Sequence, residues 1–171
     1  MTSPNPVTLY IALGSNIDPE ANLRLCVNLL RFKITVTALS SVYRTPPQGD
    51  TNQADFLNMV IQGQSNVTPG TLKTDVLDWI ERELKRVRDP HNKNAPRTID
   101  LDLLLWGDAV LEYGSKPWRV PDADILRYAH VAIPLAELAP DQIHPSEKVT
   151  FRAIAERFEN VPFEIVPLFR S

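Results

Sequence analysis

The chain has a single cysteine, Cys26, among 171 residues. That excludes an internal disulfide and any multi-cysteine metal site, and it fits a reducing, cytoplasmic compartment. Long apolar runs are missing as well: none approaches the ~20 residues needed to cross a bilayer. The first residues lack the basic, apolar and small-residue succession of a secretory signal, so no membrane association is expected. Glycine is scarce, at six residues. None of the six builds a G-x-x-x-x-G-K-[ST] or G-x-G-x-x-G pattern, which removes P-loop and Rossmann readings. The three histidines, His91, His130 and His144, are too dispersed for zinc-ligand spacing. No serine sits in a G-x-S-x-G elbow. A dominant charge is also lacking: a formal net charge of −3 gives no global reason to expect nucleic acid as a partner.

What is present is an ordinary globular composition, 43% hydrophobic and 23% charged, sufficient for one domain over residues 1–171. A monomer is the default expectation. "VTLYIAL" reads as a buried strand ending at Gly14-Ser15-Asn16. Asp18-Pro19 then offers a helix cap and a first-turn proline, followed by the stripe Leu23, Cys26, Val27, Leu30. Residues 34–43 and 56–62 read as strands joined by a long loop containing "TPPQGD". Thr68-Pro69 repeats the cap signal before a second amphipathic helix carrying Leu72, Val76, Trp79 or Ile80, and Leu84. A polar loop leads to a strand over 98–106. The order strand, helix, strand, strand, helix, strand predicts an α+β, ferredoxin-like antiparallel sheet with helices on one face. A C-terminal extension follows, with short helices at 132–138 and 149–158 and a last strand in "FEIVPLF".

Two features of this chain carry chemistry. From Glu81 to Arg97 there are six basic and three acidic residues, a local surplus suited to phosphates. Immediately after, "APRTIDLDLLLWG" places Asp100 and Asp102 inside an otherwise apolar strand. Strand side chains alternate, so both aspartates face one way, with Cα atoms ~6.5–7 Å apart. Carboxylates so placed repel one another unless cations lie against them. With no histidine or cysteine cluster nearby in sequence, Mg²⁺ held jointly with phosphate oxygens and water is the natural setting. Phosphoryl-type transfer driven by metals and arginines is the chemistry left standing.

These motifs resemble one family. "RTIDLDLLLWG" preceded by Pro96, "YIALGSN", "SSVYRTPPQGDTNQADFLNMV" and "VAIPLAELAP" are similar, in the same order, to segments of hydroxymethyldihydropterin pyrophosphokinases. The resemblance implies a ferredoxin-like fold and an enzyme of folate biosynthesis. It also implies transfer of the diphosphate of ATP to the hydroxymethyl group of a reduced pterin, with two Mg²⁺ ions. By position it implies pterin contacts at Thr45, Pro46, Phe56, Asn58 and His130. It further implies metal ligation by Asp100 and Asp102, and nucleotide contacts at Glu81, Arg88, Arg97 and Asp122. Arg86, Arg97, Asp100 and Asp102 are the implied catalytic set. Three positions depart from the family pattern: Asp122 stands for a histidine, His130 for an aromatic that is usually phenylalanine, and Lys85 for a frequent glycine. Without the resemblance, Glu81 reads as a helix-surface acid paired with Lys85 at i+4. A single-stranded RNA platform on the same sheet is the competing reading, but such platforms present aromatics and a basic surface, where this strand presents acids.

Overall fold

Along β1 (Thr2–Ser15), Leu9, Ile11 and Leu13 alternate with Tyr10 and Ala12, so each face of the strand receives its own set of side chains. Both faces are used. The computed structural model describes residues 2–169, and side chains from residue 5. β1 lies between β4 (Phe56–Val67) and β5 (Asp100–Trp106) and pairs antiparallel with both. The sheet runs β5-β1-β4-β3-β8, where β3 is Val42–Thr45 and β8 is Glu164–Val166. β2 (Thr35–Leu39) also pairs with β4, upstream of β3. The single strand expected over 34–43 is thus divided at Ser40. There the Ser40 hydroxyl accepts from Val60 N–H at 2.9 Å, a bond that side chains of this type readily substitute for a ladder bond.

On the first face, Leu9, Ile11, Leu13, Leu57, Met59, Leu101 and Leu103 meet the stripe of α1 (Pro19–Lys33): Leu23, Cys26, Val27 and Leu30. All of these are at most 1–2% exposed, and full burial of one such aliphatic side chain contributes about 1.5–3 kcal/mol. The second helical stretch covers the same face. It comprises α2 (Pro69–Thr71), a π-helical turn (Leu72–Leu77) and α3 (Asp78–Glu83). Thr68 caps it as expected, its hydroxyl accepting from Thr71 N–H. Asp18 makes no side-chain cap for α1; instead its carbonyl accepts from Asn22 N–H.

The two helical stretches expected between the strands share the first face, and the C-terminal extension takes the second. The second face carries Tyr10, Val60, Leu104 and Leu105 beneath α4 (Asp124–Arg127), α5 (Ala129–Leu138) and α6 (Phe151–Glu156). A bulge in β5 opposite Tyr10 and Ile11 turns two consecutive leucines to this side. That arrangement supplies enough apolar area to hold the C-terminal helices, which sequence periodicity alone does not assign to a face. A small hairpin, β6 (Leu111–Tyr113) with β7 (Trp118–Val120), was not anticipated. The helices cover only one end of the second face. The other end, with Ala12, Gly14, Phe56, Asn58, Asp100 and Asp102, lines a cavity.

His144 anchors the segment between α5 and α6. It is 3% exposed, and its Nδ1 accepts from the N–H groups of Ser146 and Glu147 at 3.1 and 3.0 Å. Burial holds its pKa below the ordinary 6.5; Glu147 opposes this, and Arg157 and Lys148 reinforce it. The unfolded chain therefore takes up this proton first, so stability is present above about pH 6.5 and is lost as pH falls through the depressed folded value. Urea midpoints between pH 7 and 5 should decline, with a contribution from this residue of at most ~1.4 kcal/mol per pH unit. The variant His144→Gln should be less stable at pH 7 yet show a shallower decline; an unchanged slope would remove His144 from the account.

Candidate active site

Asp100 and Asp102 do lie side by side on one sheet face, in register with Gly14 and Ala12 of β1. Their surroundings differ. Asp100 is gripped by two guanidinium groups, Arg86 at 2.8 Å and Arg97 at 3.3 Å. Asp102 accepts no hydrogen bond from any described residue. Burial raises its pKa well above the usual range, and the charges of Asp100, Asp122 and Asp124 add to that against the opposing Lys73. This carboxyl is short of positive charge.

Arg86 reaches Asp100 because of how α3 ends. Arg86 N–H donates to Glu81 O and Lys85 N–H to Arg82 O, the paired bonds of a Schellman cap. Lys85 occupies the left-handed position with φ 60°, one that glycine adopts without strain, so this lysine cannot pair with Glu81 as an i+4 helix neighbour. Glu81 is instead buried, 5% exposed. Its Oε2 forms an ion pair with Arg86 at 3.1 Å and accepts from Leu101 N–H at 3.3 Å, and its Oε1 accepts from Arg88 at 2.7 Å. One carboxylate thus ties the helix end, the start of the basic loop and β5 together. Burial raises the Glu81 pKa, chiefly against the pull of Arg86. The Arg86 Nε is itself buried with no acceptor among the described residues.

The cavity on the open end of the face measures about 300 Å³. Thr45, Pro46, Phe56, Asn58, Arg97, Asp100, Asp102 and His130 all line it, so eight of the twelve residues singled out from sequence converge there. Asn58 Nδ2 donates to the Thr45 hydroxyl at 2.6 Å. A side chain at Gly14 would meet Asn58 Oδ1 at 2.6 Å, so only glycine allows that amide to lie across β1. The Arg97 guanidinium sits 5.8 Å from the Phe56 ring centre. His130 stacks on Tyr128 with centroids 5.2 Å apart and planes at 21°. Burial lowers the His130 pKa to about 4 despite Asp100 nearby, so the imidazole is neutral at pH 7.

Glu81, Arg86 and Arg88 border a second cavity of about 440 Å³, rich in cations, which shares Asp100 and Asp102 with the first. Asp122 lies in neither. It lines a third cavity of about 240 Å³ beside Asp102, accepts from Asp124 N–H at 2.8 Å, and has its pKa pushed up to about 6 by burial.

The family described as 7,8-dihydro-6-hydroxymethylpterin-pyrophosphokinase matches residues 10–140. The chain belongs to that family. Among named pyrophosphokinases of 2-amino-4-hydroxy-6-hydroxymethyldihydropteridine, the Bacillus subtilis protein is 41% identical over 132 residues, covering 75% of this chain and 76% of its own. The Pseudomonas aeruginosa protein is 35% identical over 159 residues, covering 91% and 93%. In the crystal structure of wild-type Plasmodium falciparum HPPK-DHPS with pteroate, a region superposes with a TM-score of 0.72. At 12% identity the likeness concerns the fold alone; it covers 90% of this chain and 42% of that one.

Within this pyrophosphokinase family member, Asn16, which sequence reading passed over as a turn, fastens the loops that flank the cavity. It is 6% exposed and clamps three segments. Its Nδ2 donates to Gln53 Oε1 at 2.6 Å and Ala54 O at 3.0 Å, while its Oδ1 accepts from Arg97 N–H at 2.9 Å. Gln53 in turn donates to Asn94 O at 2.6 Å, joining the two loops that flank the cavity. The only sequence signal was its place in "GSN" at the end of a core strand. Removing the buried hub Glu81 leaves Arg86 with Asp100 as its remaining carboxylate and takes away the acceptor of the Leu101 N–H, so Glu81→Ala should lose about 2 kcal/mol of unfolding free energy. Glu81→Gln, which keeps the Leu101 acceptor, should lose less; guanidinium titration checks both.

Proposed function

We propose that the chain transfers the diphosphate of ATP to the hydroxymethyl group of 6-hydroxymethyl-7,8-dihydropterin, giving AMP and the pterin diphosphate. The observation that carries this reading is the position of Asp100 and Asp102, shared by a cavity with an aromatic and amide lining and a cation-rich groove. Their placement on one end of an antiparallel sheet supports a ferredoxin-like fold through Trp106, followed by a C-terminal extension that makes the second face part of the same single domain, 1–171. Among the described residues no helix is long and apolar enough to cross a membrane; a cytoplasmic monomer acting on small molecules is the reading we favour.

The pterin side of the reaction uses the cavity of about 300 Å³. Phe56 and the neutral His130 offer ring faces for a flat heterocycle. The Asn58 amide, its nitrogen held by Thr45, offers an oxygen acceptor to the pterin edge, and the Thr45–Pro46 backbone borders the same edge. Such a lining orients the hydroxymethyl oxygen toward the acid pair. Proximity of this kind converts a bimolecular encounter into an oriented one.

Asp100 and Asp102 fit the metal role. Among the described residues no three His, Cys, Asp or Glu side chains converge as a complete cage, and a pair of carboxylates is the protein share that hard ions take when phosphate and water supply the rest. Asp102, which lacks a donor and is held protonation-prone by burial, is the carboxylate a cation would most relieve. Bound there, two Mg²⁺ ions would supply neutralisation of the triphosphate and polarisation of its oxygens. The protein itself supplies Arg86 and Arg97, already within 2.8 and 3.3 Å of Asp100. Both are aimed where negative charge grows as the hydroxyl attacks the β-phosphorus in line. Arg88, held by Glu81, extends the cationic wall for the nucleotide, and Asp122 borders the same path beyond Asp102.

Asp100→Ala and Asp102→Ala should each remove Mg²⁺-dependent AMP formation, by at least ~100-fold in kcat, while circular dichroism and the unfolding transition remain those of a folded protein. AMP release from ATP and the reduced pterin, followed by chromatography, is the measurement. Either variant turning over at the native rate would end the assignment of these aspartates.

A further inference from the structure

The second helical stretch contains a feature that the reaction as described leaves unused. Its π-helical turn, Leu72–Leu77, is marked by Asp78 N–H donating to Lys73 O, five residues back. Such turns occur frequently at functional sites. In a regular α-helix a residue and its i+4 neighbour are offset by about 40° around the axis, so an i, i+4, i+8 row spirals away from any one neighbour. The wider turn counters that offset between Lys73 and Leu77. Lys73 is thereby turned to the buried side that also carries Leu77 and Glu81.

Lys73 is an unusual residue for that side. It is 9% exposed, its Nζ bonds Asp78 Oδ1 at 2.9 Å, and it lies 5.1 Å from the centre of the Trp118 ring. Burying a lysine is unfavourable without compensation, and one carboxylate uses one of its three donors. The cation-rich cavity and the one of about 240 Å³ meet at Lys73, Leu101, Asp102 and Trp118. Beyond that junction the smaller cavity has Leu103, Tyr113 and Pro117 on its wall together with the charged side chains of Arg119, Asp122, Asp124 and Arg127.

We propose that Lys73 is a nucleotide-binding residue, taking the phosphate next to the ribose and exchanging Asp78 for it when the nucleotide enters. The inference rests on the pyrophosphokinase reading. The reacting β-phosphorus must lie at the acid pair, beside the pterin cavity. The AMP portion must then extend away from that cavity, and the way past Asp102 leads over Lys73 and Trp118. Asp78 holds the ammonium in place in the free protein, which lowers the reorganisation needed on binding.

Calorimetry with AMP, and with a non-hydrolysable ATP analogue plus Mg²⁺, tests this on the full chain. Lys73→Met keeps the stem and removes the charge. It should weaken both nucleotides by roughly ten- to hundredfold, the range of a charged hydrogen bond, with pterin affinity unchanged; Lys73→Arg should restore part of the loss. Asp78→Asn, which removes only the resting partner, should bind AMP as well as or better than the native chain. A merely structural ion pair predicts the reverse pattern, in which Lys73→Met and Asp78→Asn melt alike at lower temperature and nucleotide affinity stays native in both. That result, or equal weakening by the two variants, overturns the assignment of Lys73 while leaving the pyrophosphokinase reading intact. A native chain that binds no ATP analogue defeats both.

Discussion

Two carboxylates on adjacent same-face positions of one strand repel each other, and the functional half of this molecule is organised around that repulsion. Asp100 is neutralised by Arg86 and Arg97. Asp102 is left with its charge opposed only at a distance. A low-dielectric surround magnifies both effects, making the arginine contacts stronger and the unpaired acid costlier. The stability of the free protein is therefore not maximised at this spot. On the function proposed above, a polyanion arriving with divalent cations would supply that missing charge.

That unit is held in place from behind by Glu81. A buried carboxylate bonded to Arg86, Arg88 and the Leu101 backbone fixes where α3 stops and where the basic loop begins. The Schellman cap at Lys85 makes the turn, and Asn16 fastens the far end of the same loop to β1 and to the 46–55 loop. Both loops are thus attached at their bases to the sheet, with polar side chains meeting above the cavity. Function sits on loops positioned by a rigid scaffold, and here the scaffold contacts are named side chains rather than general packing.

Much of this was legible in the chain. Alternation in "DLDLLL" and the stripe of α1 are short-range patterns with fixed periods, and the strands, helices and facing of the acid pair followed from them. The motifs in "RTPPQG", "DFLN" and "PRTIDLD" named residues that do share a cavity, because each motif sits on a strand or strand end whose direction is set locally. What was misread were residues whose partners lie far along the chain or depend on helix geometry. Glu81 looked like a surface acid because its real partners sit across a left-handed turn. Asn16 looked like a turn residue because Gln53, Ala54 and Arg97 lie 37 to 81 positions away.

Local pattern by itself determined the alternation of strands and helices up to Trp106 apart from the break at Ser40, the common face of Asp100 and Asp102, and the charge of the loop that approaches them, since all three depend only on neighbours a few residues apart. The tertiary structure alone decided that the C-terminal helices cover the second face and leave its other end open. It alone turned Lys73 inward through a π turn, and it alone gave one aspartate two arginines and the other none among the described residues. Those outcomes depend on which distant surfaces pack together, and on where burial removes water from a charge, quantities that no window of sequence contains.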